Sequence, residues 1–379
     1  MPPLRVLHVF PGFAVGGAQV RTVRLVSGLG DDFEHAVLSL DGNRAGYALL
    51  DDPARLAWIE PPPRAGSLAT TRALARILRR ERPDVVATYN WGAIDALLAA
   101  RAVGRRALLH HEDGFGPEEA ERRLLRRSLW RRMVLPLAHR VVVPSQVLAG
   151  IAEHEWRVPR SRLALVPNGV DLARFAPGAE REAGARLRCE LCIPAGAFVV
   201  ASVGGLRPEK RPDRLLEAAA RLPGVHLVVV GDGPLRPALA ERAAADDLRG
   251  RVHLRGARKD PRPELAAADA FALPSDTEQM PIAMVEAMAM GLCVVATDVG
   301  DVRPILPVEQ HALVVPVGGG DAGARGLAAA LAELAADPLR RARLGALNAA
   351  AAAANFGFER MAERYRDLVR GAAARDGAR

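Results

Sequence analysis

Short, nearly continuous apolar runs alternate with amphipathic stretches from one end of the chain to the other. Strands that are apolar on both faces must be covered on both faces, and helices between them supply the cover. The chain is therefore expected to be α/β, with parallel sheets. Strands are expected at 5–10, 35–40, 84–88, 107–110, 140–143 and 163–166, and again at 198–203, 227–230, 252–254, 270–273, 294–296 and 312–315. Helices are expected at 18–29, 68–80, 93–103 and 118–135. In the first of these, Val20, Val23, Leu25, Val26 and Leu29 form one apolar face.

The chain has 379 residues, enough for two full cores. Residues 171–194 are rich in charge, proline and glycine and carry the weakest apolar pattern. They divide the chain into an N-terminal domain over 1–172, a linker over 173–196 and a C-terminal domain over 197–355. Residues 356–379 read as a last amphipathic helix, on Met361, Tyr365, Leu368 and Val369, able to pack back on the first domain. A disordered tail is expected over 371–379. Two such domains leave a cleft, and clefts between domains are favoured ligand sites.

The formal charge of +8 favours anionic ligands or surfaces: phosphates, nucleic acid or acidic lipid. No nucleic-acid-binding motif accompanies the charge, so nucleic acid is set aside. Aromatic residues make up 4%, too few for stacking platforms. The pair Cys189 and Cys192 has no second C-x-x-C at zinc-finger spacing, and three cysteines build no disulfide scaffold. The start of the chain reads straight into a strand without a signal peptide, and no apolar run approaches a membrane span. A cytoplasmic protein is expected. Six arginines between 122 and 132 interleave with Leu124, Leu125, Leu129, Trp130 and Met133. This basic amphipathic pattern suits either an anionic membrane surface or packing on its own domain.

Four segments follow strands and carry polar chemistry. In 275–291, Glu278 lies on a strand-to-helix loop and Glu286 one turn or more into the helix. Both acids can face the crevice at the carboxyl ends of a parallel sheet, where ligands bind. They are suited to accept hydrogen bonds from the hydroxyls of a sugar or ribose. In 203–211, Arg207 and Lys210 at a helix entrance offer a planar fork and a point charge to one diphosphate. In 11–19, Gly16 and Gly17 open the first helix and allow a ligand close to its backbone. In 110–117, His110, His111, Glu112 and Asp113 precede Gly114. Two histidines without a third do not make a zinc site. Neither G-x-G-x-x-G nor a Walker A pattern occurs.

In order and spacing, these segments resemble the family-four retaining glycosyltransferases of GT-B fold. Three further segments, 166–171 (VPNGVD), 229–234 (VVGDGP) and 296–300 (ATDVG), belong to the same pattern. The resemblance covers nearly the whole chain. It implies two Rossmann-like domains, the first binding the acceptor and the second a nucleotide-diphosphate sugar, with no metal or other cofactor. It implies that Arg207 and Lys210 bind the donor diphosphate, Glu286 the ribose and Glu278 the donor sugar. Gly205 and the backbone of Gln279, Met280, Pro281 and Ile282 border sugar or phosphate, and Gly16 and Gly17 border the phosphates. A glycan or lipid-linked acceptor is expected, and the basic helix and the net charge favour the inner face of the membrane as the place where it is met. The family often has glycine where Gln279 stands. Many members have a histidine just before a glycine where Asp113 stands, so either His111 or Asp113 is expected at the reaction centre. A nucleotide-sugar-binding protein without turnover, or a nucleotide-sugar epimerase, is the alternative on such a fold.

Overall fold

The apolar runs form two separate parallel sheets. The computed structural model describes residues 2–63, 65–115, 119, 123–319 and 321–377. The first sheet contains β1 (Leu4–Phe10), β2 (Phe33–Ser39), β3 (Leu56–Trp58), β4 (Val85–Tyr89), β5 (Leu108–His111), β6 (Arg140–Val143) and β7 (Leu163–Leu165). Its order is β3-β2-β1-β4-β5-β6-β7, and its pairings are parallel. The second contains β8 (Val199–Val203), β9 (His226–Val230), β10 (Val252–Leu254), β11 (Ala270–Leu273), β12 (Cys293–Thr297) and β13 (Val314–Val315). Its order is β10-β9-β8-β11-β12-β13, again parallel. The strand order reverses between β1 and β4 in one sheet and between β8 and β11 in the other.

Period-two alternation explains the double apolar faces. Along β11, Ala270 and Ala272 enter one core with Val200, Leu227 and Val229. Phe271 and Leu273 enter the opposite core with Val294, Ala296, Met284 and Met288. Strand β3 was not expected from the sequence. Its three residues, Leu-Ala-Trp, are too short to show a period, and only pairing with β2 makes them a strand.

The chain divides into two units. One is Met1–Asn168 with Glu359–Arg379, and the other is Gly169–Phe358. The stretch 173–196 carries the helix Arg181–Glu190 and packs within the second unit. There a β-carbon on Gly184 would lie 2.6 Å from the backbone of Ala266, and Arg188 pairs with Asp269 at 2.8 Å. The C-terminal helix belongs to the first unit and runs over Phe358–Gly377, which corrects the expectation of disorder from 371. Arg366 donates to the Gly28 carbonyl at 3.2 Å, Arg370 pairs with Asp32 at 2.7 Å, and Ala372 is buried. Residues 378 and 379 lie outside the described residues. So do 116–118 and 120–122, which include the start of the expected 118–135 helix; the helix described there is Leu125–Val134.

Candidate active site

In an open parallel sheet, the crevice for a ligand lies at the carboxyl ends of the strands where the order reverses. In the second unit that point is flanked by the loops after β8 and β11, the two segments that carry the expected cations and acids. After β8 the chain makes a short 3-10 turn, Pro208–Lys210, and then the helix Pro212–Ala220. Proline begins both, where its missing N–H costs nothing. Lys210 Nζ donates to Glu278 Oε1 at 2.7 Å, and Ser275 Oγ donates to the same oxygen at 2.8 Å. The Lys210 side chain is 25% exposed and that of Glu278 8%. Both bonds fall on Oε1, which leaves Oε2 for another donor.

The two loops are stitched by groups that the sequence did not single out. The Asp276 N–H donates to the Glu209 carbonyl at 2.9 Å. Arg214, buried on its helix, donates to the Pro274 carbonyl at 2.6 Å and to Asp276 at 2.5 Å; Arg211 reaches Asp276 at 3.2 Å. Arg207 is half-exposed and pairs with Glu209 at 3.2 Å, so it meets neither Glu278 nor Glu286. Glu286 is buried within the helix Ile282–Ala289, whose residues from Met284 to Ala289 are all buried. Gln279, Met280 and Pro281 are buried and Ile282 half-buried at the entrance to that helix, and Gly205 is half-buried in the opposing loop.

Neighbouring loops press on this pair through glycine. Gly231 has φ +144°, and a β-carbon there would lie 1.8 Å from the Gly204 carbonyl oxygen; at Gly300 it would lie 2.2 Å from that of Glu278. Hydrogen bonds from Gly204 N–H to the Val230 carbonyl (2.9 Å) and from Asp301 N–H to the Gln279 carbonyl (2.9 Å) close the contacts. Gly231→Ala must both force a strained backbone and push the β8 loop away. We expect this variant to melt at a lower temperature than the parent by thermal scanning. It should also lose any nucleotide-sugar binding, whereas alanine at Gly204, where a β-carbon meets nothing within 4 Å, should be tolerated.

In the first unit, Gly16 is extended (φ −167°) and caps the helix Gly17–Gly28; a β-carbon on Gly17 would meet only open space. Arg21, one turn in, is buried and grips both oxygens of Asp113, with Nη2 to Oδ2 at 2.9 Å. The Nη1 that bonds Asp113 Oδ1 also donates to Asn168 Oδ1 at 3.3 Å. Burial opposes the Arg21 charge, but the Asp113 carboxylate outweighs it and raises the pKa. His111 is enclosed instead. Its ring stacks on Tyr89 (4.4 Å between centroids) and on Tyr365 (5.7 Å), with Nδ1 3.3 Å from the Thr88 carbonyl oxygen. Nε2 has no hydrogen-bond partner. Burial and then Arg21 hold its pKa well below the usual value, so the ring is neutral at pH 7. Of the two groups expected at a reaction centre, Asp113 is thus the less covered. His110 turns into the sheet, with Nδ1 2.7 Å from Thr88 Oγ1 and Nε2 3.4 Å from Glu112. Arg21, Arg214 and Tyr365 were missed by sequence reasoning. The available signal was an arginine on the apolar side of a helix, which must find a buried acid or carbonyl.

A cavity of about 500 Å³ lies at the amino ends of β1 and β2, lined by Arg5, Leu7, Phe33 and His35 among others. It sits at the opposite end of the strands from every motif described above, so we place the site at the carboxyl-end loops. Among the described residues, no group of three or more His, Cys, Asp or Glu side chains is placed to hold a metal ion.

Two doubly wound parallel sheets with ligand-type loops at the reversal points define a GT-B protein. Solved structures agree. The Anabaena protein Alr3699/HepE in complex with UDP-glucose has a TM-score of 0.81 at 20% identity, over 97% of this chain and 100% of that one. WaaG, a glycosyltransferase involved in lipopolysaccharide biosynthesis, has a TM-score of 0.71 at 20% identity, over 97% and 99%. The chain belongs to the glycosyltransferases of group 1 and family 4. The family pattern described as Glycosyltransferase Family 4 matches residues 15–174, and that described as Glycosyl transferases group 1 matches 197–337. It is 32% identical over 235 residues to the Escherichia coli UDP-Gal:alpha-D-GlcNAc-diphosphoundecaprenol alpha-1,3-galactosyltransferase, covering 59% of this chain and 60% of that protein. It is 34% identical over 182 residues to the lipopolysaccharide core biosynthesis glycosyltransferase LpsE of Rhizobium meliloti (strain 1021), covering 48% and 52%. The chain thus spans between half and two thirds of the length of these relatives. Among the described residues, no helix is long and apolar enough to cross a membrane.

Proposed function

We propose that the protein transfers a sugar from a nucleotide-diphosphate donor to a glycan or lipid-linked acceptor, with retention at the anomeric carbon, in synthesis of a cell-surface polysaccharide or glycolipid. One observation carries the reading: Lys210 and Glu278 meet at 2.7 Å across the two loops that flank the strand-order reversal. An ammonium has three donors. Glu278 uses one, and the others are available to a diphosphate beside it. Glu278 keeps Oε2 for a sugar hydroxyl, so one pair addresses both halves of the donor. Positive charge fixed at the departing diphosphate stabilises the negative charge that grows there as the sugar leaves. Arg207, half-exposed and held by Glu209, swings to the same phosphates. Glu286 takes the ribose, and Gly205 with the backbone of Gln279–Ile282 lines the donor. Gly16 and Gly17 leave room for its phosphates at the first helix. On the acceptor side Asp113, oriented by Arg21, is the polar group at the reaction centre, and the neutral His111 packs behind it. The donor binds without a metal ion. The acceptors named for the relatives favour work at the cytoplasmic face of a membrane.

The test is a panel of UDP-, GDP-, TDP- and ADP-sugars read by thermal shift and by donor hydrolysis. A ligand that binds only the folded form raises the melting temperature. At least one donor should do so and be turned over slowly without acceptor. If none binds and none is hydrolysed, the proposal fails.

A further inference from the structure

The helix Leu125–Val134 has two faces with opposite assignments. Arg131 points inward and is 1% exposed, pairing with Glu112 at 2.9 Å and Glu119 at 3.2 Å. Its guanidinium also lies 4.9 Å from the Trp156 ring and 5.4 Å from that of Trp91. Arg127 turns the same way, 3.4 Å from Glu119. The outward face is apolar. Leu125 is 79% exposed, Leu129 57% and Met133 53%, one row at a spacing of four, with Trp130 48% exposed beside it. Five of the twelve large apolar side chains that stand exposed among the described residues lie between Leu125 and Leu137. Scattered exposed leucines are ordinary, but a contiguous row of this kind marks a contact surface. Exposed arginines bracket the row: Arg126 on the Trp130 side and Arg132 on the other.

We infer that this face docks on an anionic lipid bilayer. Leucine and methionine side chains enter the acyl boundary, the amphipathic Trp130 ring sits at headgroup level, and Arg126 and Arg132 extend to lipid phosphates. The charge pattern selects this occupant. Two copies meeting face to face would bring the same arginines together, whereas an anionic surface neutralises them. The formal charge of +8 adds attraction of the same sign. The inference names the surface at which the proposed transferase meets a lipid-linked acceptor. It rests on that reading for its purpose, although the geometry stands by itself.

The experiment is sedimentation of the full chain with vesicles of phosphatidylcholine alone or mixed with phosphatidylglycerol, at low and high salt. Binding should require phosphatidylglycerol and weaken with salt. The pair R126Q/R132Q should weaken it roughly thirtyfold, since each cationic side chain near such a surface contributes a several-fold factor. The pair L125S/L129S should weaken it at least about tenfold. Both variants should keep the parental melting temperature and UDP affinity. Absence of binding to mixed vesicles at low salt, or binding that neither pair reduces, overturns the inference. So does a dimer in solution that L125S/L129S dissolves, because a second copy would then cover the face. Vesicle binding without any affinity for UDP or other donors would leave the surface standing and remove the transferase reading. Donor binding without vesicle binding would do the reverse.

Discussion

Lys210→Ala is expected to lower kcat by about 10²- to 10³-fold, the scale set by removing one fixed donor from a developing oxyanion, and to leave the fold intact. The structural loss is small. Lys210 is a quarter exposed and its side chain meets Glu278, which retains its hydrogen bond from Ser275. The expected catalytic loss is large because, in the proposed reaction, the departing diphosphate gains charge in the transition state, where a fixed ammonium matters more than in the bound donor. The effect therefore falls on kcat more than on KM. Lys210→Arg should not restore activity, since a planar fork cannot replace a compact charge between Glu278 and a phosphate. Initial rates with the donor found in the panel, alongside thermal unfolding, decide the matter. A Lys210→Ala enzyme with parental kcat would remove Lys210 from the chemistry. One with a raised KM alone would make it a ground-state binder.

Arg131→Met carries the largest expected loss of stability. The guanidinium lies between two buried carboxylates, Glu112 and Glu119, and removal of one partner from a buried cluster leaves charge uncompensated. The expected cost to the first unit is about 3–5 kcal/mol. The pH dependence is diagnostic. Burial alone raises a carboxyl pKa, but Arg131 and then His110 overcome it, so Glu112 sits below its usual 4.5. In the parent, the stability from this group is present above that pH and is lost as pH falls through the depressed value. Without Arg131 the burial effect dominates and Glu112 prefers its proton, so the variant loses stability as pH rises. The gap between parent and variant should narrow on acidification from pH 7 towards pH 5, measured by urea unfolding of the first unit. A gap that is constant or widens over that range would show that Arg131 is not what keeps Glu112 ionised. Because the opposite face of the same helix is the proposed lipid contact, Arg131→Met is not a clean probe of membrane binding, and the surface arginines are.

Much of the architecture was readable along the chain. Twelve of the thirteen strands among the described residues were expected near their observed places, because near-continuous runs such as those of β8, β9 and β12 leave few alternatives for a buried strand. The exception, β3, shows the limit: three residues hold no period, and their pairing with β2 is a long-range event. The helix within the stretch 173–196, which groups with the second unit, was not legible for a related reason. This helix, Arg181–Glu190, is polar by composition, yet Gly184 and Arg188 give it a specific seat on the backbone near Ala266 and Asp269. The end of the chain was expected to be disordered from 371, but the helix continues to Gly377 with Ala372 buried, and just before it Arg366 and Arg370 bind a carbonyl and an acid more than three hundred positions away.

By itself, the sequence determined which chemistry is present: two cations, two acids and a set of glycines, each at the end of an apolar run. Residue type and local period are properties of neighbouring positions, so they can be read in order. Only the tertiary structure decided which of these groups meet. It placed Lys210 on Glu278, turned Arg207 to Glu209, enclosed His111 between two tyrosines and committed Arg21 to Asp113. It also sorted the arginines of one helix into a buried partner for two acids and an exposed border for an apolar row. Those outcomes depend on strand order and on which helix face is covered. Both are set by contacts between distant segments, and no local pattern records them.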